Sequence, residues 1–322
     1  MRSGNEGQLK FAIEDAWADG KTPSISVPTL KSTIKPDVEM APRDGEGCAS
    51  RYAPTPRAGK QWTPGGWEFN AYPDILGYFL LVAYGTPSTT QINPGVYSNV
   101  FQPGVVSDQS MSLEDSKGGE NPLMVPGYKI KKLNFSQAMA GAAQFLIFGC
   151  DGGGKFGTEG SLTTFTYPST FPLIFSEAAM TIAGAAAYLD SVQWTEDNGL
   201  VVPNHKVGAG GETIEPDVSG NYKGEGSFVL DFEDLSNWDK FRLATDVAIA
   251  ITYTSSQLIA GADPYKLTVT MPVVRFKNPL PDRSGSAQLK ETVGFEMFAG
   301  DVDGANVPIS YTLQSSIDYS AL

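Results

Sequence analysis

Histidine and cysteine are nearly absent from this chain, and each scarcity closes off a class of chemistry. His205 is the single imidazole in 322 residues. No G-x-S-x-G elbow accompanies it, and it lies in a polar stretch that reads as a solvent-exposed loop rather than a catalytic base. Cys48 and Cys150 stand far apart, outside any C-x-x-C or Cys/His cluster, which argues against a zinc site or a disulfide framework and for two reduced, partly buried thiols. Long hydrophobic runs are also missing. The longest, Ile75 to Ala83, falls well short of the ~20 residues of a membrane span, and acidic residues occupy the N-terminal region where a signal peptide would be apolar. The expectation is a protein with no membrane span, made and folded in a cytoplasm. Basic residues are the scarcer charge: 23 Lys and Arg against 36 Asp and Glu give a net charge of -13. A general grip on nucleic acid through phosphate neutralisation is disfavoured on that balance.

What the chain does have is 41% hydrophobic residues, with 35 Gly and 22 Pro spread in short clusters. That is enough apolar material for one large domain or two ordinary ones, broken by many turns. Alternating patterns such as Trp67, Phe69, Ala71, then Phe228, Leu230, Phe232, then Leu267, Val269, Met271 read as half-buried strands. Two segments break the alternation. Pro73 to Gly85 carries Ile75, Leu76, Phe79, Leu80 and Ala83 at helical spacing, with Pro at the start and Gly at the stop. Leu235 to Thr245 has Ser236 or Asn237 as a possible N-cap and Trp238, Phe241 and Leu243 or Ala244 as its stripe.

Each helix follows a strand that follows a Gly-rich turn, Gly65-Gly66 before Trp67 and Gly224-Glu225-Gly226 before Ser227. Ser110 to Gly118 is also matched with Ser191 to Gly199, each a strand ending in an acidic turn. The expected architecture is all-β with one short helix per domain, as a tandem duplication: an N-terminal arm over 1–20, a first β domain over 21–150 and a second over 151–322. The boundary is placed in the Gly-rich stretch Gly149 to Gly160. Two long polar stretches, Arg43 to Gly65 and Val202 to Gly224, are candidates for contacts between subunits, because long loops in compact domains are usually functional.

Three motifs come close to chemistry. Gly149 to Lys155 has the spacing of a phosphate loop, but Phe156 replaces the hydroxyl residue that holds magnesium, and no amphipathic helix follows. Asp301-Val302-Asp303-Gly304 starts like a calcium loop, yet Thr312 stands at the position of the bidentate glutamate, so an Asp-Gly hairpin turn is the better account. Glu68, Asp231, Glu233 and Asp234 supply carboxylates without marking out a catalytic pair. The aromatic residues are not interleaved with Lys or Arg as a base-stacking platform requires. No cofactor or metal is expected, and no catalytic residue.

In order and spacing the chain resembles the tail tube proteins of long-tailed bacteriophages, in a branch of about this length. The resemblance runs through Phe11 to Trp17, Gly66-Trp67-Glu68-Phe69, Pro73 to Gly77, Leu80 to Gly85, Phe101 to Gly104, Ser110 to Leu113, Gly127 to Leu133, Asp197 to Leu200 and Gly226 to Phe232. It implies tandem β-sandwich or partial-barrel domains that assemble into rings and stack into the hollow tube through which DNA passes without specific binding. Three chains would then supply six similar domains per ring. The implied partners are the chain itself, a tail-tip initiator, a tape measure protein and a tail terminator, and the implied location is the virion after synthesis in the bacterial host. Arg51, Tyr52, Arg57, Lys60, Trp62, His205, Lys206 and Glu212 are expected to lie on loops that reach the next ring, and the acidic Glu68, Asp231 and Glu233 to face the lumen. The competing expectation is an all-β decoration or receptor- and glycan-binding module.

Overall fold

The computed structural model describes residues 7–41, 55–104, 107–118, 121–139, 144–277, 279–281 and 288–322. Strands dominate, and they form two chain segments with the same order of pairing. The first holds β1 (Gln8–Ile13), β2 (Ile25–Val27), β3 (Thr29–Ser32), β4 (Asp37–Ala41), β5 (Arg57–Asn70), helix α1 (Pro73–Tyr84), β6 (Ser88–Asn93), β7 (Val96–Phe101), β8 (Met111–Ser116), β9 (Leu123–Ala138), β10 (Ile147–Gly154) and β11 (Thr158–Glu159). The second holds β12 (Ala178–Ile182), β13 (Ala185–Ala187), β14 (Ser191–Asp197), β15 (Leu200–Val201), β16 (Asp217–Val218), β17 (Lys223–Asp231), helix α2 (Ser236–Arg242), β18 (Val247–Ala260), β19 (Asp263–Lys277), β20 (Lys290–Phe298), β21 (Gly300–Val302), β22 (Ala305–Val307) and β23 (Ser310–Ser315).

In the first segment β2 pairs β1, β1 pairs β8, β8 pairs β9, β9 pairs β10 and β11, β10 pairs β5, and β5 pairs β3. In the second, β13 pairs β12, β12 pairs β18, β18 pairs β19, β19 pairs β20 and β23, β20 pairs β17, and β17 pairs β14. Every pair in one ladder has its counterpart in the other, all antiparallel. Here β8 corresponds to β18 and β14 to β3, which corrects the match of Ser110–Gly118 with Ser191–Gly199: both are strands ending in acidic turns, but they occupy different places in the ladder. The expected division at residue 150 falls inside β10, and Gln8–Ile13, expected in an arm, is β1.

The two ladders join by strand pairing. The second part of β9 pairs with β14, from Lys132 opposite Asp197 to Ala138 opposite Ser191, and β7 pairs with β23. The result is a single 19-stranded sheet system around one hydrophobic cluster that draws on both segments.

Helix α1 lies in the middle of that cluster. Pro73 starts it where no backbone donor is needed, and Gly85, at φ 86, ends it by donating its N–H to the Leu81 carbonyl at 2.7 Å. Ten of its residues are buried, against Phe11 of β1, Trp67 and Phe69 of β5, Phe148 of β10 and Tyr319 near the C-terminus. Helix α2 is different. It spans Ser236–Arg242, shorter than the expected Leu235–Thr245, has no buried residue, and uses neither Ser236 nor Asn237 as N-cap; instead Asp234 accepts from the Ser236 N–H.

Candidate functional site

The long strands carry one broad polar face. In β5, Trp67 and Phe69 point into the core, so Glu68 points out; the same alternation holds in β9, β14, β17 and β20. A continuous row runs across this outward face through direct cross-strand partners: Lys31, Glu68, Gly149, Asn134, Thr195, Glu225, Glu296 and Arg275. The neighbouring row is Asn70, Ile147, Ser136, Gln193, Ser227, Gly294 and Lys277. The middle of these two rows is uncharged, with Ile147 as its one large apolar side chain, and their charges lie toward the two ends. Most of those charges are paired: Lys31 with Glu68 at 3.6 Å, and Lys277 with Glu296 at 2.8 Å and with Glu225 at 3.4 Å; in the next row, on the central strands, Lys132 pairs with Asp197 at 3.7 Å.

Of the acidic residues singled out in the sequence, Glu68 lies within this face. Asp231, exposed, sits at its margin opposite Lys290, and Glu233 lies beyond the end of β17, on the way to α2.

The two long polar stretches meet. Residues 57–65, expected as loop, are the first part of β5: residues 57–62 pair with β4 as an antiparallel hairpin, and residues 63–65 pair with β10. Residues 202–214 fold against it: Gln61 donates its N–H to the Gly211 carbonyl at 2.8 Å, Thr213 donates to the Gln61 carbonyl, and Gln61 bridges to Glu212. Trp62 and His205 pack edge to face with ring centres 5.6 Å apart. His205 is thus not the freely exposed loop residue expected: it is half-buried, and both ring nitrogens are out of contact with solvent. Lys60 pairs with Glu39 at 3.0 Å on the exposed side of the hairpin, and Arg57 and Lys206 are exposed. Arg51 and Tyr52 lie outside the described residues.

The near-miss motifs take structural roles. Gly149 to Gly154 belongs to β10 and is paired on both sides, so it forms no phosphate-cradling loop. A side chain at Gly152 would meet the Lys129 carbonyl at 2.1 Å, which explains glycine there by close strand approach. Asp301 to Gly304 turns the hairpin of β21 and β22, Gly304 donating to the Asp301 carboxylate at 2.9 Å.

One perturbed carboxyl that sequence reasoning missed lies at the join of the two ladders. Glu196 in β14 is fully buried, and burial pushes its pKa up despite hydrogen bonds that pull it down. Tyr84 of α1 and Tyr222 donate to its Oε2, Tyr311 of β23 donates to Oε1, and Trp194 donates to the Tyr311 oxygen at 2.8 Å. The three phenols are themselves pushed well above the usual tyrosine range by burial. The cluster joins α1 to the second ladder through three phenol hydroxyls that converge on one buried carboxyl.

No described helix is long and apolar enough to cross a membrane. Comparison with curated proteins finds no match. A family model described as phage tail tube protein matches residues 4–313. With nearly the whole chain matched and a β-rich fold to go with it, the chain belongs to the phage tail tube protein family, a structural family of the phage tail rather than one of enzymes.

Proposed function

We propose that copies of this chain close into rings and that the rings stack into a hollow tail tube, with the broad polar sheet face toward the lumen. The observation that carries this reading is the row from Lys31 to Arg275. A wall past which DNA must slide should offer neither apolar patches nor unpaired cations, and the centre of this face, Gly149, Asn134, Thr195, Ser136 and Gln193, has no cation and only the half-buried Ile147 beside it as a large apolar side chain. The acids at its flanks are mostly ion-paired, so the surface repels DNA less through net charge than by having nothing for it to bind. Three copies per ring would present six similar ladders. The β4–β5 hairpin with the 202–214 segment docked on it projects from the sheet and supplies the contact to the next ring. A tail-tip initiator, a tape measure protein and a terminator would set the start, length and end of the tube.

The direct test is negative-stain electron microscopy of the concentrated protein, with and without a tail-tip extract as nucleator. Uniform hollow cylinders are expected; a persistent small oligomer that binds a separate capsid lattice or a glycan would instead establish a decoration or binding module. Lumen assignment has its own test. Tubes of Asn134→Lys, Thr195→Lys protein should retain short duplex DNA at low salt and release it as salt rises, where wild-type tubes retain none. Equal retention by both would place this face on the outside.

A further inference from the structure

We infer that one chain meets the next in the ring through the same contact that joins its own two ladders, with the free edge of β19 and the exposed side of α2 receiving β3 and the 160–172 segment of a second copy. The inference rests on the ring reading above, and specifies the two surfaces that make it.

The within-chain junction is the template. Along it, β14 lies against the second part of β9, and the stretch after β23 covers α1. The counterpart of β14 is β3, and the counterpart of β9 is β19. Among the described residues β3 pairs on one side only, with β5, and Arg275 to Lys277 of β19 pair only with β20. Among the described residues each ladder thus leaves open one edge that its counterpart uses at the internal junction. An open edge of this kind invites pairing with another chain, and because the two edges differ, the contact is head to tail and leads to a ring or a helix rather than a closed dimer.

The helices support the same assignment independently. Helix α1 is sealed on the second-ladder side by Tyr311 and Tyr319, with Tyr319 donating to the Asp74 carbonyl at 2.6 Å and Asn198 to the Ala83 carbonyl at 3.1 Å. Among the described residues nothing seals α2: Leu235, Phe241 and Leu243 are 51%, 38% and 64% exposed. What covers α1 is the stretch following β23. The stretch following β11, its counterpart in the first ladder, exposes Leu162, Tyr167 and Phe171 and is held onto its sheet by Lys10, Glu114 and Ser26. It is an anchored segment that, like α2, leaves large apolar side chains exposed among the described residues.

Superposing the ladders sets the register. Tyr128 corresponds to Met271 and Leu133 to Phe276 through their partners in β8, β18, β10 and β20. The Asn134–Thr195 pair of the internal junction then becomes Lys277 of one copy opposite Thr33 of the next.

Two experiments on the full chain test this. A Thr33→Cys, Lys277→Cys protein, oxidised after assembly, should give a ladder of disulfide-linked multimers on a non-reducing gel, and neither single variant should. Phe241→Asp with Leu243→Asp should keep the monomer's circular dichroism and melting transition, since both side chains are exposed, while raising the concentration needed for tube formation by roughly tenfold or more, the loss expected from two buried apolar contacts. Wild-type tubes accompanied by no cross-linking and by normal assembly of the α2 variant would overturn the inference and leave the tube reading standing. Failure of the wild type itself to form rings or tubes with a nucleator would remove both.

Discussion

Replacing Glu196 with Ala is expected to destabilise the monomer by about 3–5 kcal/mol, the sum of a buried cavity and of phenol hydroxyls left without an acceptor. The measurement is a urea unfolding curve, whose midpoint should fall with its slope unchanged. Replacing Glu196 with Gln separates packing from charge. The amide keeps the shape, accepts from Tyr311 through its oxygen and can donate to the tyrosine oxygens on the other side, so it avoids the cavity while removing a buried negative charge that pairs with no cation among the described residues. Because burial raises the Glu196 pKa above its ordinary 4.5, the folded chain holds that proton more tightly than the unfolded chain. Its contribution is therefore fully present below about pH 4.5 and is lost as pH rises through the raised folded value. Tyr84, Tyr222 and Tyr311 face the carboxyl and stay neutral through this range, their own pKa values having moved up. The Gln variant should thus gain on the wild type in melting temperature as pH rises from 5 toward 8 (about a neutral working range), with the difference shrinking at acid pH. A difference that does not change with pH would show that Glu196 keeps its charge state throughout.

How much of this was readable beforehand depends on how far apart the cooperating residues lie. Helix α1 was legible to within a residue because its signals, Pro73, the apolar spacing and Gly85, are local. The duplication was legible as a pattern but not in register, and Trp67 shows why. Its cross-strand partner is the small Cys150, whereas at the counterpart position of the second ladder Gly226 faces Phe295. Large and small have changed strands: a side chain at Gly226 would meet the Phe295 ring at 2.4 Å. Packing volume is conserved across the pair and not along either strand, so a comparison of one strand with another slips. The start of β5 read as loop because Gly59, Pro64, Gly65 and Gly66 interrupt its alternation, yet pairing with β4 carries the strand past Gly59 and pairing with β10 carries it through Pro64, Gly65 and Gly66. The Glu196 cluster had no sequence signal at all: Tyr84, Glu196, Tyr222 and Tyr311 come from four separate elements, and only the join of the two ladders brings them together.

That join is also where the last prediction has its largest effect. Tyr319 is fully buried, its ring against Tyr78 at 5.1 Å and Phe101 at 5.8 Å and its hydroxyl on the Asp74 carbonyl. It sits where it does because Gly77 in α1 has no side chain; a Cβ there would lie 2.2 Å from the ring. Tyr319→Ala should cost about 3–5 kcal/mol, as for other large aromatic truncations in a core. Gly77→Ala alone should cost about 1–3 kcal/mol, since overpacking against a fixed ring outweighs the better helix propensity of alanine. With Tyr319 already removed the clash is gone and only the propensity remains, so the same Gly77→Ala change should stabilise by up to about 1 kcal/mol. The substitution reverses sign with its background, and a double-mutant cycle in urea measures the coupling directly. Additive effects would mean that the C-terminal segment does not rest on α1 in solution. A reversed sign would show that the helix of the first ladder was built to receive a segment of the second, which is the relation that leaves α2, with no such segment among the described residues, open to one from a neighbour.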